Sequence, residues 1–264
     1  MKVVVCTKQT PSTTAVYSVN GGQVSWEDSS GKPNVVNPWD EYAIEEAIRL
    51  KENHGADDVV AITVGEEESK DALKTALAMG CTEAILVSDP SFDGSGGPGT
   101  ARVLAAAITK AGANIAVFGK QAIDGDTGMT PMMTARALGW TPLTYVSAIK
   151  EISDDSITVE RMLESGTQTV TASMPAVISV VKEANEPRYP SFMGIRKANR
   201  AEIPQWSAGD LDVSGSVGSD SKHVDWSNVY APPARVTETE MISGDSPEDI
   251  AKQLADKLFE EKVI

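Results

Sequence analysis

The chain has 264 residues, 41% of them hydrophobic and 23% charged, a balance ordinary for a globular protein. Its 38 acidic and 23 basic residues leave a net charge of −15, which argues against nucleic acid or an anionic membrane face as partner. Two histidines and two isolated cysteines, Cys6 and Cys81, exclude a histidine-rich metal site and fit reduced thiols better than a disulfide framework.

Met1-Lys2-Val3-Val4-Val5-Cys6 runs straight into an apolar strand, so neither a signal nor a transit peptide is expected and a cytoplasmic location is. No apolar run approaches the roughly 18–20 residues of a membrane helix, so direct membrane insertion is not expected. The strand over 2–6 is of the kind buried on both faces in a parallel sheet. Residues 15–26 read as a small hairpin turning on Asn20-Gly21-Gly22. Asn37-Pro38 opens a helix, with Asn37 as its N-cap and Asp40 and Glu41 in the first turn. Ala43, Ile44, Ala47 and Ile48 form the apolar stripe of that helix, and Asn53-His54-Gly55 ends it.

Alternation then continues. A strand over 58–64 is closed by Gly65, and a helix carrying Ala72, Leu73, Ala76 and Leu77 stops at Gly80. A strand over 84–87 leads into Asp89–Gly99, whose Ser95-Gly96-Gly97 is a weak phosphate-loop signal and reads as a flexible loop. A helix over 100–111 and a strand over 115–118 follow. The next stretch, Gly119-Lys120-Gln121-Ala122-Ile123-Asp124-Gly125-Asp126-Thr127-Gly128, precedes a helix around Met132–Leu138. A glycine-bearing strand-to-helix loop gathers backbone N–H groups and a helix N-terminus, which suits an anion. Its two aspartates argue against a purely electropositive pocket. The pattern predicts a doubly wound, mostly parallel α/β sheet. Ligands in such sheets gather beyond the strand carboxyl ends. The places to watch are therefore Cys6-Thr7-Lys8, Asn37, Val64-Gly65 and the loop after residue 118.

Beyond residue 140 the chain is β-rich over 143–149, 156–162, 168–172 and 177–181, which either continues the sheet or forms a meander. Asn185-Glu186-Pro187-Arg188-Tyr189-Pro190 breaks this pattern. The next segment, Phe192-Met193-Gly194-Ile195-Arg196-Lys197, is a surface loop either tucked into the core or serving as a docking knob. Residues 206–246 read as an extended arm. Ser246 then caps a final helix with the stripe Ile250, Leu254 and Leu258, a helix that must bury its stripe on its own domain or on another subunit. The expected division is a nucleotide-binding domain over 1–205, with a docking loop at 191–198, and an arm plus helix over 206–264.

Several motifs together resemble the β subunit of electron-transfer flavoprotein. They are Val3–Gln9, Asn37-Pro38-Trp39-Asp40-Glu41-Tyr42-Ala43-Ile44-Glu45, Ala76–Gly80, Gly119–Asp126, Asn185–Tyr189 and Lys197-Ala198, in the family's order. The resemblance implies a Rossmann-like doubly wound domain with a C-terminal extended arm and helix. It implies a heterodimer with an α subunit that holds most of the redox-active FAD, and AMP bound in this chain. It implies electron transfer between flavin dehydrogenases, such as acyl-CoA dehydrogenases, and a membrane quinone reductase or other acceptor, without catalytic residues or metal in this subunit. The implied cofactor-binding residues are Cys6, Asn37, Val64, Gly119, Lys120, Gln121, Asp124, Gly125, Asp126, Thr127, Gly128, Met129 and Thr130, to which the strand-end argument adds Lys8 and Gly65. The implied docking residues are Phe192, Met193, Gly194, Ile195, Arg196 and Lys197.

A second branch of the family holds a further FAD in the β subunit and bifurcates electrons from NADH. Asp124-Gly125-Asp126-Thr127 matches that branch, but Gly128-Met129-Thr130-Pro131-Met132 follows neither branch's usual continuation. Pro90 stands where the bifurcating branch tends to have arginine, and Asn185–Tyr189 with Gly139-Trp140 leans towards AMP. Outside the family, a stand-alone adenine-nucleotide enzyme or a nucleotide-binding stress module would share the fold. The lack of a histidine in the candidate site and of an S-G-G-x-D-S loop counts against the enzyme, and the stress module would not need the arm or the exposed loop. No C-x-x-C pair, G-x-S-x-G elbow or G-x-x-x-x-G-K-[ST] loop is present to favour an enzyme.

Overall fold

β1 (Lys2–Cys6) has no polar residue between Val3 and Cys6, so both of its faces have to be covered. In the computed structural model, which describes residues 1–264 apart from Arg235, this strand lies inside a nine-stranded sheet. Val3 and Val5 pack with Ala43, Ile44, Ala47 and Leu73 on one face, and Val4 and Cys6 with Val103, Leu104, Ala107 and Ile108 on the other. Helix layers on both faces explain why the strand is continuously apolar.

In chain order, β1 is followed by β2 (Gln9–Pro11), the hairpin β3 (Val16–Asn20) and β4 (Gln23–Glu27), and β5 (Asn34–Val36). Next come α1 (Pro38–His54), β6 (Asp58–Val64), α2 (Lys70–Met79), β7 (Glu83–Val87), α3 (Gly97–Ala111), β8 (Ile115–Gly119) and α4 (Thr130–Leu138). Then β9 (Thr141–Ile152), β10 (Ser156–Leu163), β11 (Gly166–Ser173) and β12 (Ala176–Val180) precede α5 (Phe192–Ala198), β13 (Gln205–Trp206) and α6 (Pro247–Glu260).

The sheet order is β11-β10-β9-β12-β8-β1-β6-β7-β13. β6 and β7 run parallel to β1 on one side, β8 and β12 on the other. The crossover from β7 through α3 to β8 therefore reverses the direction of winding. It opens a crevice beyond the carboxyl ends of β1 and β8, where loops diverge to opposite sides. The strands expected after residue 140 continue this sheet: β9 is parallel to β12, and β10 and β11 are antiparallel additions.

Four expectations change. The flexible loop at 89–99 is built: the Asp89 carboxylate accepts from Ser91 N–H at 2.9 Å and Ala208 N–H at 3.0 Å, and α3 starts within the segment. The surface loop carrying Phe192 is a helix, N-capped by Ser191 Oγ accepting from Gly194 N–H at 2.9 Å. Asn37 occupies the N-cap position of α1, but its side chain caps nothing there. Residues 206–229 are not an arm: the described residues form two units, Met1–Val229 and Tyr230–Ile264, because β13 joins the sheet edge and Leu211, Val213 and Val217 pack against its core. In the second unit, Ser246 Oγ accepts from Asp249 N–H at 3.2 Å and caps α6 as its sequence predicts. Among the described residues, no helix is long and apolar enough to cross a membrane.

Candidate functional site at the switch point

The crevice is a cavity of about 520 Å³, within the ~300–1,000 Å³ range of small-molecule sites. Its walls come from the ends of β1 (Cys6, Lys8), β6 (Val64, Gly65), β7 (Ser88) and β8 (Gly119), and from Asn37. From the following loop come Gln121, Asp124, Gly125, Asp126, Thr127, Gly128 and Thr130. Of the sequence-derived set, Lys120 and Met129 stand outside. Lys120 turns away, its ammonium 5.0 Å from the centre of the Trp39 ring and 5.7 Å from that of Tyr145, and Met129 is exposed.

Asn37 reaches the cavity because β2 and β5 pair antiparallel and fold the chain back over the end of β1. Asn37 N–H donates to Lys8 O at 2.8 Å. Its amide Nδ2 donates to Gln121 O at 2.8 Å, and its Oδ1 accepts from Ile123 N–H at 3.3 Å. A short polar side chain with both donor and acceptor thus ties the loop after β8 to the start of α1. The loop is stiffened from within by Gln121 Nε2 donating to Asp126 at 2.7 Å and by Asp126 N–H donating to Ala122 O at 2.9 Å.

Asp40 was legible only as a helix first-turn acid, yet it is the buried keystone of this end. Its carboxylate accepts from Lys8 N–H at 2.7 Å. Burial pushes its pKa up to about 7, against the lowering effects of Lys8 N–H, the Asn37 side chain, Gly119 N–H and the Lys8 charge. Gly119 passes so near α1 that an added Cβ would lie 2.5 Å from Asp40 Oδ1 and 2.6 Å from the Trp39 carbonyl carbon. Only glycine fits there. The Cys6 thiol, buried beside Asp40, is pushed well above its ordinary pKa by burial first and the aspartate second, so it lines the site as an inert hydrophobe.

The wall from β7 was missed. Ser88, Asp89, Phe92, Asp93, Ser95 and Thr100 also line the cavity. The signal was available, because this segment follows the carboxyl end of a parallel strand just as the other walls do. The N-termini of α3 and α4 lie at the cavity, represented by Gly97 and by Thr130 with Pro131, and neither has a side-chain cap. Uncapped N–H groups and the positive ends of two helix dipoles suit a phosphate. Against them stand six carboxylates, from Asp40, Glu66, Asp89, Asp93, Asp124 and Asp126, with Lys8 the one cationic side chain among the lining residues. Such a lining can meet a phosphate with backbone N–H groups and offer acidic acceptors to hydroxyl and amino groups.

The second site is convex. Arg188 bridges the carboxylates of Glu45, at 2.7 and 3.0 Å, and Glu52, at 2.7 and 2.9 Å. Glu45 also meets Arg49 Nε at 3.2 Å. Burial pushes the Glu45 pKa up, but the hydrogen bonds and charge of Arg188, with help from Arg49, outweigh it and hold the group below its ordinary value. Asn185 Nδ2 donates to Tyr42 O and to Glu46, each at 3.0 Å. The segment so anchored delivers α5, which lies so close to α2 that a Cβ on Gly194 would collide with the Ala78 carbonyl oxygen. Tyr189, just before α5, is 96% exposed, and Phe192 and Met193 at its start are 81% and 71% exposed, an apolar group turned to the surface. Arg196 and Lys197 lie in its last turn.

Fold and site together define a doubly wound α/β protein with a ligand crevice at the switch point of its sheet. The Electron transfer flavoprotein domain matches residues 28–211. The electron transfer flavoprotein subunit beta of Clostridium acetobutylicum is 38% identical over 228 residues, covering 84% of this chain and 86% of that protein. Subunit CarD of the caffeyl-CoA reductase-Etf complex of Acetobacterium woodii is 34% identical over 267 residues, the full length of both. Protein FixA of Azotobacter vinelandii is 35% identical over 271 residues, 98% of this chain and 95% of the relative. The chain belongs to the electron transfer flavoprotein family, on its β-subunit side. Membership implies flavin-linked electron transfer and pairing with an α subunit.

Proposed function

We propose that this chain is the electron-carrier β subunit of a heterodimer, with FAD held mainly by the α subunit and an adenine nucleotide held in the switch-point cavity, AMP being the occupant the family resemblance implies. The observation that carries this reading is the convergence of Cys6–Lys8, Asn37, Val64–Gly65, Gln121, Asp124–Gly128 and Thr130 on one concave site beside two uncapped helix N-termini. The flavin supplies the redox chemistry. The residues of this chain bind, orient and exclude water, and in a covered site their dipoles tune a potential more strongly than water would. Tyr189, Phe192, Met193 and Ile195 offer apolar anchors for partner dehydrogenases, with Arg196 and Lys197 steering acidic surfaces. Residues 230–264, with α6, serve as the hold on the α subunit, and the cytoplasm is the proposed location.

One observation favours a second reading, in which a further FAD occupies the cavity and the complex oxidises NADH. The wall Ser88–Thr100 extends the cavity beyond β1 and β8 towards β7, giving room past a mononucleotide. Denaturing release of nucleotides from the purified heterodimer, followed by chromatography, separates the two. One FAD and one AMP per heterodimer support the first reading, and two FAD support the second. A colourless, catalytically active monomer would overturn both in favour of a stand-alone nucleotide enzyme.

A further inference from the structure

The ammonium of Lys8 lies 2.6 Å from Asp124 Oδ2, across the mouth of the cavity. Both groups line the cavity, and Lys8 is the one cationic side chain among the lining residues. Among the described residues, no other side-chain cation lines the cavity for an anionic ligand to meet. The pair is accessible rather than locked away, with Lys8 52% and Asp124 29% exposed. Each end is also held by bonds other than the ion pair, with Asn37 serving both. The Lys8 backbone is fixed by Asp40 at 2.7 Å and by Asn37 at 2.8 Å, so its side chain can swing without disturbing β1. The loop carrying Asp124 is fixed by Asn37, by the Gln121–Asp126 bond and by the Asp126–Ala122 turn, so the Asp124 carboxylate is free to lose its partner.

We propose that Asp124 competes with the bound nucleotide for Lys8. In the ligand-free site Asp124 holds the ammonium; a nucleotide phosphate takes it over, and the carboxylate is released to solvent. Asp124 is thereby a residue that lowers affinity and speeds exchange, where the neighbouring Asp126 only shapes the loop. This rests on the nucleotide reading given above.

The test uses the purified heterodimer, with exchange of labelled AMP and, separately, labelled FAD. Asp124→Asn should tighten binding of the cognate nucleotide about two- to fivefold, the scale of one exposed ion pair, and slow its release in proportion. Lys8→Met should weaken binding. In the Lys8→Met background, Asp124→Asn should change affinity less than about twofold, and Asp126→Asn should not reproduce the gain of Asp124→Asn. Thermal melts confirm that each variant is folded. Weaker binding by Asp124→Asn would make Asp124 a direct ligand contact and overturn the proposal. An equal gain with and without Lys8 would reduce the effect to general charge and overturn it too. A wild-type complex that takes up neither AMP nor FAD in this subunit would instead remove the nucleotide reading itself.

Discussion

The cavity and the α5 surface are opposites in shape and chemistry, yet both hang on α1. The first turn of α1 holds the cavity: Asn37 stitches the loop after β8, and Asp40 grips Lys8 N–H. Its middle and last turn hold the apolar surface: Glu45, Glu46 and Glu52 receive Arg188 and Asn185. The concave site is made by backbone approach, with Gly119 set against α1 where no side chain fits. The convex site is made by charge, with an arginine fork laid across two turns of a helix. One helix thus serves as the common frame, and its sequence carries acids on the side where an isolated amphipathic helix would simply be solvated.

The comparison is broken most sharply by pH. The folded-state pKa of Asp40, about 7, lies above its ordinary 3.8, so the folded state binds the proton more tightly. Stability from this group is complete below the ordinary value and is lost as pH rises through about 7, by up to about 4 kcal/mol at 1.36 kcal/mol per unit. Asp40→Asn keeps an acceptor for Lys8 N–H and should flatten that decline in urea titrations between pH 4 and 8. Glu41 and Glu46, also raised by burial, leave a residual slope. If the variant keeps the full slope, Asp40 is not the keystone. Gly119→Ala comes next. It should cost roughly 3 kcal/mol, the upper end for overpacking, and abolish nucleotide retention while leaving the α5 surface competent in partner binding.

Arg188→Ala tests the other end. Removing one partner of a fully buried pair costs about 3–5 kcal/mol; Arg188 is 35% exposed and Arg49 remains beside Glu45, so about 2 kcal/mol is expected. The Glu45 pKa is held low, so this stabilisation is present above its ordinary pKa and fades as pH falls through the folded value. The variant should therefore lose its deficit in acid, a trend opposite to that of Asp40→Asn. Smallest in stability is Phe192→Ala: less than about 0.5 kcal/mol is expected for an exposed side chain, with unchanged flavin content and slower electron transfer from a partner dehydrogenase. Loss of flavin would sink the docking role.

The parallel core was legible because its signals are local. Apolar runs of strand length, glycines after Val64 and Met79, and Pro38 at a helix start each act within a few residues. What escaped depends on partners far along the chain. Asp40 meets a backbone N–H 32 residues away, a pairing that no periodicity encodes. β13 is two residues long and gains its place only by pairing with β7 more than a hundred positions earlier. Gly194 lies inside α5, where its low propensity argues for a loop, but the approach to Ala78 requires it. Asn37 lies where the strand-end argument put it, but its expected capping bond is not made, and its side chain serves the loop instead.

The excess of carboxylates around the cavity mouth also governs how a ligand arrives. A dianionic nucleotide approaching a chain of net charge −15 meets a repulsive field that reaches about one Debye length, roughly 10 Å at 0.1 M salt. Raising the ionic strength shrinks that field, while the short-range bonds to helix N–H groups in the crevice are screened far less. On the proposed nucleotide reading, capture should therefore quicken with salt where most anion-binding proteins slow.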